Sequence, residues 1–144
     1  MGQSLQRAFE GPLWVAVVLL WSVGVLLAGG TAVVAWTRLG PSSSLAFVAA
    51  ATMLGTLLIG VVRRSTWALT VTLVGLGGQA AGVVGTTWEL THRVAGGKAH
   101  ELRRLGVNPR LGIALNLLYS AVAFAVFLWA VKELRVARAA NKEL

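Results

Sequence analysis

Residues 11–37 read GPLWVAVVLLWSVGVLLAGGTAVVAWT, and this stretch of 27 residues contains no Asp, Glu, Lys or Arg. Three more stretches lack these residues: 39–62, 65–88 and 111–131, with 24, 24 and 21 residues. A helix that crosses the hydrocarbon layer of a bilayer needs about 20 apolar residues. Each stretch is long enough, so the sequence predicts four membrane-spanning helices at about 13–36, 45–62, 67–88 and 111–131.

The composition of the whole chain agrees with this prediction. Of the 144 residues, 56% are hydrophobic and 12% are charged, whereas soluble domains have about 25% charged residues. There is no cysteine, which excludes disulfides and thiolate metal sites. The first apolar run is longer than the roughly 7–15 residues of a signal-peptide core, so we expect it to stay uncleaved. The expected fold is all-α: an integral membrane four-helix transmembrane bundle that forms one domain over residues 1–144.

Tryptophans lie near the ends of the predicted spans. Trp14 and Trp36 are 22 residues apart, Trp67 and Trp88 are 21 apart, and Trp129 is close to the end of the last span. At about 1.5 Å per residue, the first two separations are roughly 33 and 32 Å. Indole rings favour the headgroup level of a bilayer, so these five tryptophans are predicted interfacial anchors.

The connections between the spans differ in length. Residues 1–11 are expected to form a short polar start, and a serine after Gly40-Pro41 is expected to cap the second span. The link RRST at 63–66 is so short that spans two and three should form a tight hairpin. Residues 89–110 form a basic loop, and the basic tail 132–144 contains good helix formers that favour continuation of the last helix.

The basic residues give only a weak orientation signal. An even number of spans places both termini on one side, with one basic residue before span one, two in the RRST link and four in the tail, against six on the other side. The positive-inside rule requires a larger asymmetry, and the tail slightly favours cytoplasmic termini. The net charge of +8 lies at the predicted membrane edges, which indicates contact with anionic lipids and no nucleic-acid partner. The high content of Ala, Gly, Val, Leu and Arg favours the cytoplasmic membrane of a prokaryote.

Glycine is concentrated in the third predicted span. The run from Gly75 to Ala80 fits the G-x-G-x-x-A pattern of a dinucleotide-binding loop, but that loop requires a strand before it and a helix after it. A second pattern is more informative, because steps of three, four and three residues place a set of glycines on one helical face. Small residues allow the close backbone approach that joins helices in lipid. The predicted helix-packing residues are Gly75, Gly78, Gly82 and Gly85, with Gly24 and Ala28 of the first span.

Few polar side chains lie inside the spans. Gln79 is near the middle of the third span, and Thr72 and Thr86 lie seven residues before and after it. A second cluster, in the fourth span, consists of Asn116, Tyr119 and Ser120. An amide in lipid is costly unless it is hydrogen-bonded, so Gln79 should point into the bundle. The intramembrane polar residues have two interpretations: hydrogen bonds between helices, or a polar lining for a small substrate.

The loop 89–110 holds the other candidate site residues. Its basic side chains are expected to contact lipid headgroups or a partner protein: Arg93, Lys98, Arg103, Arg104 and Arg110. The loop also contains Glu89-x-x-His92 and His100-Glu101, but a di-metal site needs several more inward carboxylates than this chain has. The sequence therefore predicts no metal, no cofactor and no catalytic residue.

These features favour a non-catalytic accessory or structural subunit that packs in a larger membrane complex or a homo-oligomer through its glycine-rich faces. The alternative is an oligomeric transporter or channel for a small molecule or lipid, with a polar path around Gln79 and Asn116. The spans contain no carboxylate, which weighs against ion-coupled transport. A third hypothesis is a lipid-headgroup enzyme that uses Glu89, His92, His100 or Glu101 as acid or base.

Overall fold

A computed structural model describes residues 2–92, 103–104, 106 and 108–140, without the side chains of residues 2, 43, 80–81, 86–92 and 109. The helices whose bounds it gives are α1 (Gly2–Ala8), α2 (Pro12–Leu39), α3 (Pro41–Val62), α4 (Thr66–His92) and α5 (Pro109–Ala140). No strand occurs in the described residues. Helices α2 to α5 are each long and apolar enough to cross a membrane. Over the described residues, the prediction of an all-helical fold with four such helices is confirmed.

The connection between α2 and α3 is a single residue, Gly40. Its backbone has φ 90° and ψ 172°, a conformation that glycine adopts without a steric penalty. Helix α3 begins directly at Pro41, and the hydroxyl of Ser44 donates to the Pro41 carbonyl within the first turn, at 2.7 Å. The prediction of a serine cap is therefore wrong, because proline at the first helical position is already preorganised for the helix.

The N-terminal residues form a helix that the sequence did not indicate. Leu5, Ala8 and Phe9 are buried, and α1 packs against α5 and α4. With only seven residues, α1 is too short to show a clear periodicity, and a helix of this length is not stable alone in water. Helix α5 continues to Ala140, as the composition of the tail predicts. The two ends of the described chain therefore lie at the same end of the bundle.

The buried core lies at that end, which we call the closed end of the bundle. It is formed by α1, the first half of α2, the last residues of α3, the first half of α4 and the second half of α5. Its largest fully buried side chains include Phe9, Leu13, Leu69 and Leu76. The opposite end, where α2 meets α3 and α5 begins, is called the open end. It contains the cavity described below.

Neighbouring helices pack to different extents. Helix α2 packs along α3 most extensively, α4 packs along α5, and α3 contacts α4 much less. The closest approach of α3 and α4 involves Gly60, where a Cβ atom would lie 2.5 Å from the Cβ of Ala68 and 3.2 Å from Cζ2 of Trp67. Contact between these two helices therefore depends on the fact that glycine at position 60 has no side chain.

The short α3–α4 link is held by the N-terminal segment. Arg64 has a positive φ of 54°, and its N–H donates to the Val61 carbonyl at 2.9 Å. The Arg64 carbonyl accepts a hydrogen bond from Nε2 of Gln6 at 3.2 Å. The guanidinium carbon of Arg64 lies 5.6 Å from the centroid of the Trp14 ring. The indole N–H of Trp14 donates to the Val61 carbonyl at 3.2 Å. These contacts join α1, α2 and the link.

Candidate functional site

Three hydrogen bonds connect α2, α4 and α5 in a closed triangle. From α2, the indole N–H of Trp21 donates to Oγ1 of Thr72 on α4 at 3.2 Å. From α5, the hydroxyl of Ser120 donates to Oε1 of Gln79 on α4 at 3.2 Å. The hydroxyl of Tyr119 on α5 donates to the Leu20 carbonyl on α2 at 3.3 Å. Each pair of these helices is thus joined by at least one polar contact.

A glycine lies beside each of these three hydrogen bonds. A Cβ at Gly24 would lie 2.8 Å from the Tyr119 hydroxyl, and one at Gly82 would lie 3.1 Å from Oγ of Ser120. A Cβ at Gly75 would lie 3.5 Å from the Trp21 ring. These glycines leave room for polar or aromatic side chains of a neighbouring helix.

The contact between Gly24 and Tyr119 gives a first prediction. We expect Gly24→Ala to lower the free energy of unfolding by about 1 kcal/mol, because the new methyl group displaces the hydroxyl and its hydrogen bond is lost. In a Tyr119→Phe background the same change should be neutral or stabilising, since alanine favours a helix over glycine. Both effects of Gly24→Ala, in the wild-type and in the Tyr119→Phe background, are measured by unfolding the detergent-solubilised protein with sodium dodecyl sulfate and following the circular dichroism. An equal loss in the two backgrounds would contradict this prediction.

A cavity of about 590 Å³ lies next to this triangle, between α2, α4 and α5. Its lining runs from Trp21 to Val34 on α2 and from Gly112 to Tyr119 on α5, so it extends toward the open end. The apolar part of the lining is formed by Leu26, Leu27, Val34, Leu54 and Leu115. This volume is within the range of about 300–1,000 Å³ found for small-molecule sites.

The polar groups of the cavity come from both predicted clusters. Gln79, Asn116 and Tyr119 line it, together with Thr31, whose hydroxyl donates to its own helix at the Leu27 carbonyl. Within the part of the chain that the structure describes, the Gln79 side chain has one hydrogen bond, from Ser120. An amide offers two N–H donors and an acceptor oxygen. Among the described residues, the amide nitrogen of Gln79 has no hydrogen-bond acceptor.

The predicted packing glycines of α4 divide into two groups. Gly75 and Gly82 contact Trp21 and Ser120, as described above, whereas a Cβ at Gly78 or Gly85 would meet no described protein atom within 4 Å. Ala28 is half-buried on α2. Thr72 is fully buried, and the Thr86 side chain lies outside the described residues.

The predicted anchor tryptophans occupy different environments. Trp14 is half-buried in the closed end, while Trp36 and Trp67 are 55% and 52% exposed. Trp129 is at the surface of α5, where its indole N–H donates to the Glu133 carboxylate at 3.1 Å. The Trp88 side chain lies outside the described residues.

Most of the basic loop 89–110 lies outside the described residues. Arg103, Arg104 and Arg110 are exposed, and a Cβ at Gly106, with φ 72°, would overlap the guanidinium of Arg38. Arg93, Lys98, His100 and Glu101 are outside the described residues, as are the side chains of Glu89 and His92. In the residues that remain, no group of three or more His, Cys, Asp or Glu could hold a metal ion.

Three features of the site were not predicted from the sequence. The sequence predicts no role for Trp21 in the site, although a tryptophan within a span signals an indole N–H that needs an acceptor. Gly77 packs against the Phe127 ring, 3.2 Å from a Cβ position, and was not in the predicted packing set. The cavity itself has no sequence signal, because its walls are ordinary apolar residues and glycines of different helices.

The chain matches no protein-family model, no curated protein and no solved structure. Its function has to be inferred from its own residues and their contacts.

Proposed function

We propose that this chain is a non-catalytic integral membrane protein that crosses the cytoplasmic membrane of a prokaryote four times. Large apolar side chains are exposed along the long helices, among them Leu26 on α2 at 73% and Val74 on α4 at 71%. Exposed apolar surface of this extent is unfavourable in water and matches a lipid surrounding. The exposed Arg103, Arg104 and Arg110 are suitable contacts for anionic headgroups, and the basic tail favours cytoplasmic termini.

The role we propose is that of a small accessory subunit, and one surface of α4 carries this proposal. Val71, Val74, Gly78 and Gly85 share one side of α4 and are all exposed; we call them the open face. No described protein atom lies within 4 Å of a Cβ built at Gly78 or Gly85. At Gly78 and Gly85 the open face thus presents bare backbone to its surroundings.

Bare backbone on a lipid-facing surface has a cost and no benefit within the isolated chain. Glycine in a helix interior is less favourable than alanine by about 1 kcal/mol. In lipid, small residues repay this when a second helix approaches closely and gains van der Waals contact. We infer that a helix of another membrane subunit packs against Gly78 and Gly85.

Substitution of Gly78 by leucine tests this proposal. The position has open space in the described structure, so Gly78→Leu should leave the isolated chain folded and weaken its association with the partner at least about tenfold, or about 1.4 kcal/mol. Gly55→Leu is the matched control, because a Cβ at Gly55 on α3 also meets no described atom within 4 Å and Gly55 is not on the open face. The measurement is the amount of foreign subunit that co-purifies in mild detergent, determined by mass analysis.

The two variants separate a specific interface from a general effect. A stoichiometric foreign subunit that is lost with Gly78→Leu and kept with Gly55→Leu is the expected result. Equal retention of that subunit by both variants would exclude the open face as its binding surface.

The alternative function is an oligomeric transporter or channel for a small molecule or lipid. The observation that favours it is the cavity, which Gln79 and Asn116 both line. A homo-oligomer without any foreign subunit in the same mass analysis would favour this alternative over the accessory role.

A further inference from the structure

We infer that the cavity between α2, α4 and α5 binds a neutral, lipid-soluble molecule that carries a carbonyl group. This inference goes beyond the subunit role, since no residue of the open face lines the cavity. It depends on membrane insertion but not on the identity of any partner.

The position of the cavity indicates how a ligand would enter. Leu26 and Leu27 line the cavity and are 73% and 55% exposed, so its opening is at the side of the bundle, along α2. In a membrane, this side faces acyl chains. A molecule already dissolved in the hydrocarbon layer reaches such an opening without crossing water.

The lining indicates that the ligand is uncharged. The described residues that line the cavity include no Asp, Glu, Lys, Arg or His. A charged group transferred into apolar surroundings without a counter-charge is strongly disfavoured. The five apolar side chains named above and the glycines Gly24, Gly30 and Gly112 provide surface for alkyl chains or a ring.

The Gln79 amide indicates the polar group of the ligand. Its oxygen accepts from Ser120, which leaves its nitrogen as a donor at the cavity. Lipid tails offer no acceptor, and within residues 2–92 and 108–140 no acceptor contacts this nitrogen, so a ligand in the cavity can supply one. A carbonyl oxygen, as in an acyl ester or a ring ketone, is an uncharged acceptor that dissolves in lipid.

Two adjacent glycines allow the cavity to be filled without changing the packing. A Cβ at either Gly29 or Gly30 would meet no described protein atom within 4 Å, but only Gly30 lines the cavity. Gly30→Leu should therefore block the cavity, and Gly29→Leu is its matched control. Similarly, Gln79→Met and Ser120→Ala both remove the Ser120–Gln79 hydrogen bond, but only Gln79→Met removes the amide donor.

The probes are radiolabelled dioleoylglycerol and decylubiquinone, added to the full-length protein in dodecylmaltoside, a detergent without carbonyl groups. Binding of at least one probe to the wild type and to Gly29→Leu is expected, measured by equilibrium gel filtration. Ser120→Ala keeps the amide donor but no longer positions it, so it should weaken binding less than Gln79→Met does. Gly30→Leu should weaken this binding at least about tenfold. Gln79→Met should weaken it about three- to tenfold, which corresponds to one neutral hydrogen bond.

The two probes distinguish the source of the carbonyl group. Binding of dioleoylglycerol alone assigns the cavity to an acyl ester, and binding of decylubiquinone alone assigns it to a ring ketone. If dioleoylglycerol binds, it is compared with the dioleyl ether of glycerol, which lacks ester carbonyls. The ether should bind more weakly than dioleoylglycerol to the wild type, whereas the two should bind equally to Gln79→Met.

Several results would overturn the inference: no binding of either probe to the wild type, equal weakening by Gly29→Leu and Gly30→Leu, or unchanged binding to Gln79→Met. Partner co-purification from the same variants separates this result from the subunit proposal. Gly30→Leu should still co-purify with the partner but no longer bind the probe. Gly78→Leu should still bind the probe but no longer co-purify with the partner.

Discussion

Replacing Gly60 by alanine is expected to lower the free energy of unfolding by about 1–3 kcal/mol, the usual cost of overpacking. The new Cβ would lie 2.5 Å from the Cβ of Ala68, an atom fixed to the backbone of α4 that cannot rotate away. Helices α3 and α4 would have to separate at their closest approach. That movement would disturb Arg64, which is hydrogen-bonded to Gln6 and stacked on Trp14.

Two matched variants isolate the cause of this loss. Gly55→Ala places the same methyl group in the same helix where no described atom lies within 4 Å, so it should be neutral or stabilising through helix propensity. Ala68→Gly removes the atom in conflict, so it should cost less in the Gly60→Ala background than in the wild type, where it carries the usual cost of about 1 kcal/mol for glycine in a helix. Relief of the conflict would be incomplete, because the Trp67 ring remains 3.2 Å from the new methyl group.

The measurement is the unfolding of each purified variant by sodium dodecyl sulfate in mixed micelles. If Gly60→Ala and Gly55→Ala have the same stability, the close contact of α3 and α4 is not as described. If Ala68→Gly lowers the stability of Gly60→Ala as much as it lowers that of the wild type, Ala68 is not the atom that limits the approach.

Replacing Trp21 by alanine is expected to cost about 3–5 kcal/mol, the range for removing a large buried aromatic side chain. Trp21 is 6% exposed and belongs to the core cluster at the closed end, while it also lines the cavity. Its ring fills the space between α2 and Gly75 on α4. Without it, the cavity would extend into the core.

The hydrogen bond of Trp21 should contribute only a small part of this effect. Thr72→Val keeps the shape of the threonine side chain but removes the acceptor of the indole N–H, and hydrogen bonds between membrane helices average about 0.6 kcal/mol. Unfolding free energies of the two variants in the same detergent test this division. A loss in Trp21→Ala no larger than that in Thr72→Val would show that the ring does not support the packing of α2 on α4.

The closed and open ends of the bundle have different expected roles. Gly60 and Trp21 are in the part where α1 and the four long helices form a continuous core. Beyond the three interhelical hydrogen bonds, α2, α4 and α5 enclose the cavity, together with Leu54 of α3. Stability and ligand binding should therefore respond to different substitutions, with Trp21 at the boundary between the two regions.

The existence, number and approximate extent of the four long helices followed from the sequence alone. The length of a charge-free stretch is a local property of the sequence. It directly determines whether that stretch can cross the hydrocarbon layer as a helix. The same locality explains why α1 was missed, since its seven residues are held by contacts with α4 and α5 and not by their own propensity.

Only the tertiary structure decided what each glycine and polar side chain contacts. Spacing places Gly75, Gly78, Gly82 and Gly85 on one side of α4, yet the first and third are packed and the other two are open. Residue spacing defines a face but not which neighbouring helix covers it. The same holds for the Trp21–Thr72 and Ser120–Gln79 pairs, which join residues 51 and 41 positions apart. Such pairs depend on the mutual arrangement of whole helices, because in lipid that arrangement is selected by close packing and not by hydrophobicity.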